Sequence, residues 1–450
     1  MLERPNKTAL FLIFATVCVD LLGFGLVLPL LPIYGKELIA EMPGNTGPWV
    51  LGLLMCCFTM MQFFCSPLWG RLSDRIGRRP VLLISLSGST LFYTLFGLAS
   101  LWRSLVWMFV ARIAAGISSA TISTAQAYIA DVTPPERRAR GMALIGAAFG
   151  LGFTLGPLVG AAAIFISRDT GLSPWPGYAA ACLSATALSL AIFKLPESRK
   201  PGVMGESRRR FDLGSLRTAL AVPSIGLLFL TSFLGVFSLA GFEGTISLAI
   251  HAGLNEQAQS EAATSELSHP SSHQLAAAET PGEPSEVDDW TSDVRLMLIF
   301  AYIGLIQTLV QGVLVRRLAI RVPEVTLAVS GAILSITGFL LLGAAAASQG
   351  GGIALLMIGA AVHVSGVAFV FPAIQSLISR RSDPANQGGI LGTGESIAAM
   401  ARITGVMFGV PLFYVAPALP FLASAGLMCF ALVAVLVAVR TGRDFGEAKA

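Results

Sequence analysis

Twelve apolar stretches, each about 20 residues or longer and separated by mostly short polar segments, constrain this 450-residue chain more than any other feature. They run over 8–32, 48–70, 80–101, 104–128, 141–166, 175–194, 223–250, 294–315, 324–347, 351–378, 388–415 and 418–439. Crossing about 30 Å of hydrocarbon takes roughly 20 apolar residues in a helix. Inside a bilayer no water satisfies backbone N–H and C=O groups, so a spanning segment must satisfy them itself. The chain therefore reads as an all-α membrane protein with twelve transmembrane helices in two six-helix bundles. Only 12% of its residues are charged, against about 25% in a soluble domain. Its 47 glycines suit helices that approach at backbone distance. The first run lacks a small-residue cleavage site and reads as a retained helix rather than a signal peptide. Cys18, Cys56, Cys57, Cys65, Cys182 and Cys429 all fall in apolar runs; they are expected to be buried, without disulfides.

Basic residues set the orientation. If both termini are cytoplasmic, 24 of the 30 Lys and Arg face inward, four face outward, and Arg112 and Arg402 lie within helices. This is the positive-inside pattern. The expected organisation is an N-terminal bundle over 1–194, a basic cytoplasmic linker over 195–222 and a C-terminal bundle over 223–450. An external loop at 252–293 holds nine acidic residues and no Lys or Arg, a composition that predicts disorder.

The halves read as distant repeats. Residues 70–79, Gly-Arg-Leu-Ser-Asp-Arg-Ile-Gly-Arg-Arg, follow the second span. Residues 312–318, Gly-Val-Leu-Val-Arg-Arg-Leu, follow the eighth and lack the aspartate. Parallel repeats of this kind place a substrate site between two bundles. Positive-inside anchoring explains the arginines of the first copy, but not Gly70, Asp74 or Gly77.

Residues 70–79 resemble the loop signature of the major facilitator superfamily. That resemblance implies the major facilitator fold and a conformational gate made of Gly70, Asp74, Arg75, Gly77, Arg78 and Arg79, linked to Asp131 at the end of the fourth span. Gly152, Gly156, Pro157 and Gly160 are similar to the superfamily's antiporter motif. Three glycines four residues apart share one helix face, so a neighbour can pack closely there. Residues 20–32, 111–116 and 129–131 extend the likeness to tetracycline-resistance type drug/proton antiporters, although Phe92 precedes Tyr93 where those exporters carry an aspartate. Residues 143–161 and 241–247 resemble the animal tetracycline-transporter-like proteins, which implies organic-anion efflux.

Ionisable side chains within membrane helices are costly and are candidates for function. Asp20 and Arg112 both fall roughly 18 Å from the inner face, counting 1.5 Å per residue, and are expected to pair. With Glu243 they form the predicted proton-coupling set. Gln62, Gln126, Glu395 and Arg402 are candidates for the substrate cavity, and Gln307, Gln375 and His363 are further polar positions in the spans.

These readings converge on a secondary transporter that exports a drug-like compound or organic anion in exchange for protons by alternating access. The alternatives are proton-coupled uptake of a sugar or organic acid, and a ligand sensor that does not transport. The sequence has no phosphate-binding loop of the Gly-x-x-x-x-Gly-Lys-Ser/Thr type, so an ion gradient is the expected energy source. His363 has no Glu or Cys at ligand spacing, which argues against an intramembrane enzyme or a metal. No cofactor and no nucleic acid are expected. The predicted partners are the lipid bilayer, protons and a small-molecule substrate, with a monomer in the cell membrane.

Overall fold

The computed structural model describes residues 7–40, 42, 46–119, 121–133, 138–168, 171–198, 223–268, 289–318, 321–348, 352–381 and 387–442. A few side chains within these segments, that of Glu395 among them, lie outside the described set.

The first span is two helices, α1 (Lys7–Val27) and α2 (Leu31–Ile39). Pro29 has no N–H to donate and disfavours helical backbone at Leu28, so α1 stops there. Pro32 then sits in the first turn of α2, where its missing N–H costs nothing. The second and third spans are α3 (Gly47–Ile76) and α4 (Arg78–Leu101). Gly77 joins them at φ +105°, a conformation open to glycine and rarely to other residues.

The fourth span, expected as one helix over 104–128, is instead split into α5 (Leu105–Ser118) and α6 (Thr121–Val132). The sequence here, Ser118-Ser119-Ala120-Thr121, offers hydroxyls that compete for the backbone. Ser118 Oγ donates to the carbonyls of Ala114 and Ala115. Trp69 Nε1 donates to the freed carbonyl of Ile117, and Gln62 Nε2 donates to Ser119 Oγ at 3.0 Å. Helices α7 (Arg138–Ser167) and α8 (Trp175–Lys194) complete the first half.

In the second half, α9 covers Pro223–Ser268 and α10 covers Asp289–Leu309. The expected loop at 252–293 is corrected at both ends. The seventh helix continues to Ser268, and the eighth begins at Asp289 rather than 294. Ala-, Glu- and Gln-rich sequence after His251 has high helix propensity, so the polar composition ends the membrane span without ending the helix. Residues 269–288 lie outside the described residues. Helix α10 runs into a π turn at Val310–Val315. Helices α11 (Glu324–Ala347), α12 (Ile353–Arg381), α13 (Gln387–Val415) and α14 (Leu419–Thr441) follow.

Among the described residues, eleven helical segments are long and apolar enough to cross a membrane, and the split fourth span adds a shorter apolar helix. The exterior is apolar: Phe193, Ile166 and Phe430 are 83%, 79% and 70% exposed, which suits lipid and not water. This surface also corrects the reading of the cysteines. Cys56 and Cys57 are buried, but Cys182 and Cys429 lie exposed on outward helix faces, and Cys18 and Cys65 are half-buried.

Packing repeats between the halves. Helix α1 packs on α7 and α8, and α4 on α5 and α8; correspondingly, α9 packs on α13 and α14, and α11 on α12 and α14. The glycines show the register. A Cβ on Gly152 would stand 2.8 Å from the Leu21 carbonyl, and one on Gly405 would meet the Phe237 carbonyl; likewise Gly156 abuts Gly25 and Gly409 abuts Gly241. The halves meet along two equivalent seams, α7 on α10 and α3 on α13. The first seam includes Gly160 against Met297, Phe153 against Gly304, and Thr154 Oγ1 3.2 Å from Thr308 Oγ1. The second includes Gly52 against Met407 and a Trp49–Phe408 edge contact at 5.9 Å.

Candidate transport site and gate

The membrane-embedded charges are held differently in the two halves. In the first, Arg112 on α5 is buried at 3% exposure, with its Cζ 4.8 Å above the centre of the Phe58 ring. Phe58 in turn packs on Phe24 at 5.5 Å. A desolvated cation over an aromatic face gains about 2 kcal/mol. The expected Asp20–Arg112 pair does not form, as no ion pair joins the two among the described residues. Tyr93 of α4 stands instead within Coulombic range of both charges and packs against Gly23 of α1.

In the second half an ion pair does form. Arg402 Nη1 of α13 lies 3.5 Å from Glu243 Oε2 of α9, with the two side chains 41% and 23% exposed. Sequence reasoning separated these residues, giving Glu243 to proton coupling and Arg402 to the cavity; the tertiary structure makes them one unit. The Glu395 side chain lies outside the described set. Gln62 is committed to Ser119 at the break in the fourth span, and Gln126 is exposed.

Next to Glu243, Phe242 packs on His363 at 4.7 Å and Phe339 packs on it at 4.0 Å, the two phenylalanines 6.5 Å apart. His363 is 1% exposed, and neither ring nitrogen has a hydrogen-bond partner. Among the described residues, no cluster of His, Cys, Asp or Glu has a geometry that holds a metal.

The candidate gate is a network on the arginine-rich face. Arg78 reaches Asp74 at 2.6 Å, Asp131 at 3.1 Å and Ser73 Oγ at 2.7 Å. Asp74, Arg78 and Asp131 are thus brought together as the motif implies. Arg75 is exposed, Gly70 has nothing within 4 Å of where a Cβ would stand, and Arg79 donates to the Ile192 carbonyl. Glu197 is a member that sequence reasoning missed. Its carboxylate accepts from the backbone N–H groups of Arg78 and Arg79, both at 3.0 Å. A carboxylate three residues past a helix end carries no local signal of that contact.

On the opposite face, a cavity of about 560 Å³ between the halves is lined by Lys36, Glu37, His251, Asp293 and Tyr414, among others. Glu37 is ion-paired there with Arg103. The antiporter-motif glycines serve close packing: Gly152 and Gly156 seat α1, and Gly160 meets Met297 of the other half. Helix α7 continues through Pro157.

Two six-helix bundles around intramembrane charges, with a charged loop network at one face, define a membrane transporter. The chain belongs to the Major Facilitator Superfamily, whose profile matches residues 13–268. It is similar to the class C tetracycline resistance protein of Escherichia coli, with 40% identity over 196 residues, 43% of this chain and 46% of that protein. The chain thus spans about half the length of that relative. Major facilitator superfamily domain-containing protein 10 of Homo sapiens is 28% identical over 452 residues, covering 92% of this chain and 90% of that protein. The crystal structure of the human organic anion transporter MFSD10 (TETRAN) superposes with a TM-score of 0.63 at 27% identity, covering 96% of this chain and all of that one. The chain is therefore a transporter of the tetracycline-resistance/MFSD10 type, in a family of transporters that are not enzymes.

Proposed function

We propose that the protein exports a small organic molecule in exchange for protons, by alternating access, across the cell membrane with both termini cytoplasmic. The observation that carries this reading is the Glu243–Arg402 pair, a half-exposed charge pair within the membrane-spanning part of the second bundle. A carboxylate in such a place can hold either a proton or a cationic group of the substrate, and that mutual exclusion is what exchange needs. Arg402 is the counter-charge that faces Glu243 at 3.5 Å when neither is bound. Asp20, in the first bundle, is the second acid in the cycle. The 24-to-4 distribution of basic residues supports the orientation. Likeness to tetracycline resistance proteins and to a human organic anion transporter supports drug-like compounds and organic anions as substrates.

The same pair also favours a second reading for anions. An anionic substrate on Arg402 removes the counter-charge from Glu243, which then takes up a proton, so anion and proton travel together. The sign of proton flux separates the two. Inverted vesicles carrying the protein are given a panel of organic cations and anions, with internal pH followed. Cation export by exchange should expel protons from acidified vesicles as drug enters, and Asp20→Asn and Glu243→Gln should abolish uphill accumulation. Normal accumulation in both variants would remove the acids from the mechanism. Substrate binding without ΔpH-driven flux would instead make the protein a sensor.

A further inference from the structure

The repeat places an ion pair at equivalent corners of the two bundles, between the start of the third helix of each half and the end of its fourth. In the second half, Glu324 in the first turn of α11 meets Arg380 in the last turn of α12 at 3.1 Å. In the first half, Arg78 opens α4, and Asp131 is next to last in α6, again 3.1 Å apart. The signs are exchanged. A helix N-terminus carries a partial positive charge and its C-terminus a partial negative one. The Glu324–Arg380 pair therefore agrees with both helix dipoles, whereas the Arg78–Asp131 pair opposes both.

What offsets that opposition is Glu197. Its two oxygens accept from the first two amides of α4, at Arg78 and Arg79, so an anion occupies the positive helix end that Arg78 itself cannot favour. The fit is built for it. A Cβ on Gly77 would lie 2.6 Å from Glu197 Oε2, so the glycine provides the space as well as the φ of +105°. The chain around Glu197 is fastened to the same network. Leu195 is buried, Tyr128 donates to the Pro196 carbonyl at 3.0 Å, and Ser198 Oγ donates to Asp131 Oδ2 at 3.1 Å. Residues 195–198 are the first of the segment that leads to the second bundle. They are thus anchored on the gate rather than on a neutral part of the surface.

We propose that Glu197 is a positioning residue of the gate. It holds Arg78 so that Asp74 and Asp131 share one guanidinium, and it couples the start of the inter-bundle linker to that arrangement. The first-half network is the corner that rearranges during the transport cycle, and the dipole-matched Glu324–Arg380 pair is a fixed strut. Asp74, 44% exposed at the edge of this network, is the group that Glu197 keeps in register. This inference rests on reading residues 70–79 as a conformational gate.

The test measures conformation and transport separately. Spin-labelled amino acids encoded at Lys194 and Arg321, one in each half at the arginine-rich face, report the separation of the halves in proteoliposomes. Glu197→Gln should shift the distance distribution relative to the wild type and lower the maximal transport rate roughly tenfold, as loss of charge-assisted hydrogen bonds allows, with KM changed less than about twofold. If Glu197 acts through the gate, Asp74→Asn combined with Glu197→Gln should be no slower than Asp74→Asn alone within about twofold, because effects within one network do not add. Ser198→Ala, a milder change that keeps the Glu197 clamp, should shift the distances in the same direction by less, and it serves if Glu197→Gln fails to fold. An unshifted distance distribution in the variant that folds, or rate losses that multiply in the double variant, would overturn the proposal. Absence of gradient-driven transport in the wild type would defeat the functional reading alone, and the distance measurement would still decide the role of Glu197.

Discussion

The two halves are built on one packing plan and solve the problem of intramembrane charge in different ways. In the first, Arg112 is buried against the Phe58 ring, and among the described residues no ion pair joins it to Asp20. In the second, Glu243 and Arg402 face each other at 3.5 Å and remain partly exposed. The glycine register aligns Leu21 with Phe237 and Gly25 with Gly241. In that frame Glu243 sits opposite Val27, seven residues beyond Asp20, or about 10 Å further along its helix at 1.5 Å per residue. The repeat preserves backbone contacts and not the intramembrane charges. Close packing is therefore the shared framework, while the positions of charge are where the halves diverge.

Several substitutions break or sharpen this contrast. The largest effect is expected where the halves agree. Gly152→Val and Gly405→Val each force a side chain into the backbone of the facing helix. Overpacking of this kind costs about 1–3 kcal/mol, occasionally more, and thermal unfolding in detergent should show similar losses for both. A small loss in one alone would mean that the seams are not equivalent.

Next come the arginines. Arg402→Gln leaves Glu243 without its counter-charge, a change that costs about 3–5 kcal/mol for fully buried pairs and less for a half-exposed one. Uphill transport should disappear, and Glu243→Gln in the same chain should recover part of the lost stability. Arg112→Gln loses the cation–π contact, about 2 kcal/mol, and Asp20→Asn should recover none of it. Recovery in the Arg112 background would show a hidden Asp20–Arg112 coupling and undo the contrast.

The corner pairs give a smaller signal. Asp74→Asn should slow transport about tenfold with little change in melting temperature. Glu324→Gln, which removes one exposed pair worth roughly 0.2–1 kcal/mol, should lower the melting temperature slightly and leave transport within about twofold. Reversed outcomes would make the second-half corner the moving one.

The smallest effect concerns His363. Among the described residues its ring nitrogens have no hydrogen-bond partner, and the ring packs on Phe242 and Phe339. Replacing a buried unsatisfied group with an apolar one of similar size can be neutral or stabilising. His363→Leu should therefore match or exceed the wild-type melting temperature and leave transport intact; a loss of transport would give the imidazole a role in the cycle.

Much of the fold was legible because hydrophobic length and glycine spacing are local properties. The span count and the packing face of Gly152 and Gly156 follow from them, while the network of Asp74, Arg78 and Asp131 was implied by the resemblance of residues 70–79 to a family signature. Other features were hidden from that reading. The break at Ser119 depends on Trp69 and Gln62 reaching across from α3 to receive the freed polar groups. The helix beyond His251 was obscured because acidic composition argues against a membrane span and says little about helicity.

The sequence by itself determined that this chain must live in a bilayer, how many times it crosses, and which residues carry charge where charge is costly. Those outcomes follow from apolar length and from the free energy of placing ionised groups in hydrocarbon, both properties of short segments. The tertiary structure alone decided which charges meet. Arg402 found Glu243 on another helix, Arg112 found an aromatic ring rather than Asp20, and Glu197 found the amides of a helix 118 residues away in sequence. Pairing depends on the rotation and crossing of packed helices, and depth counted along a sequence contains neither.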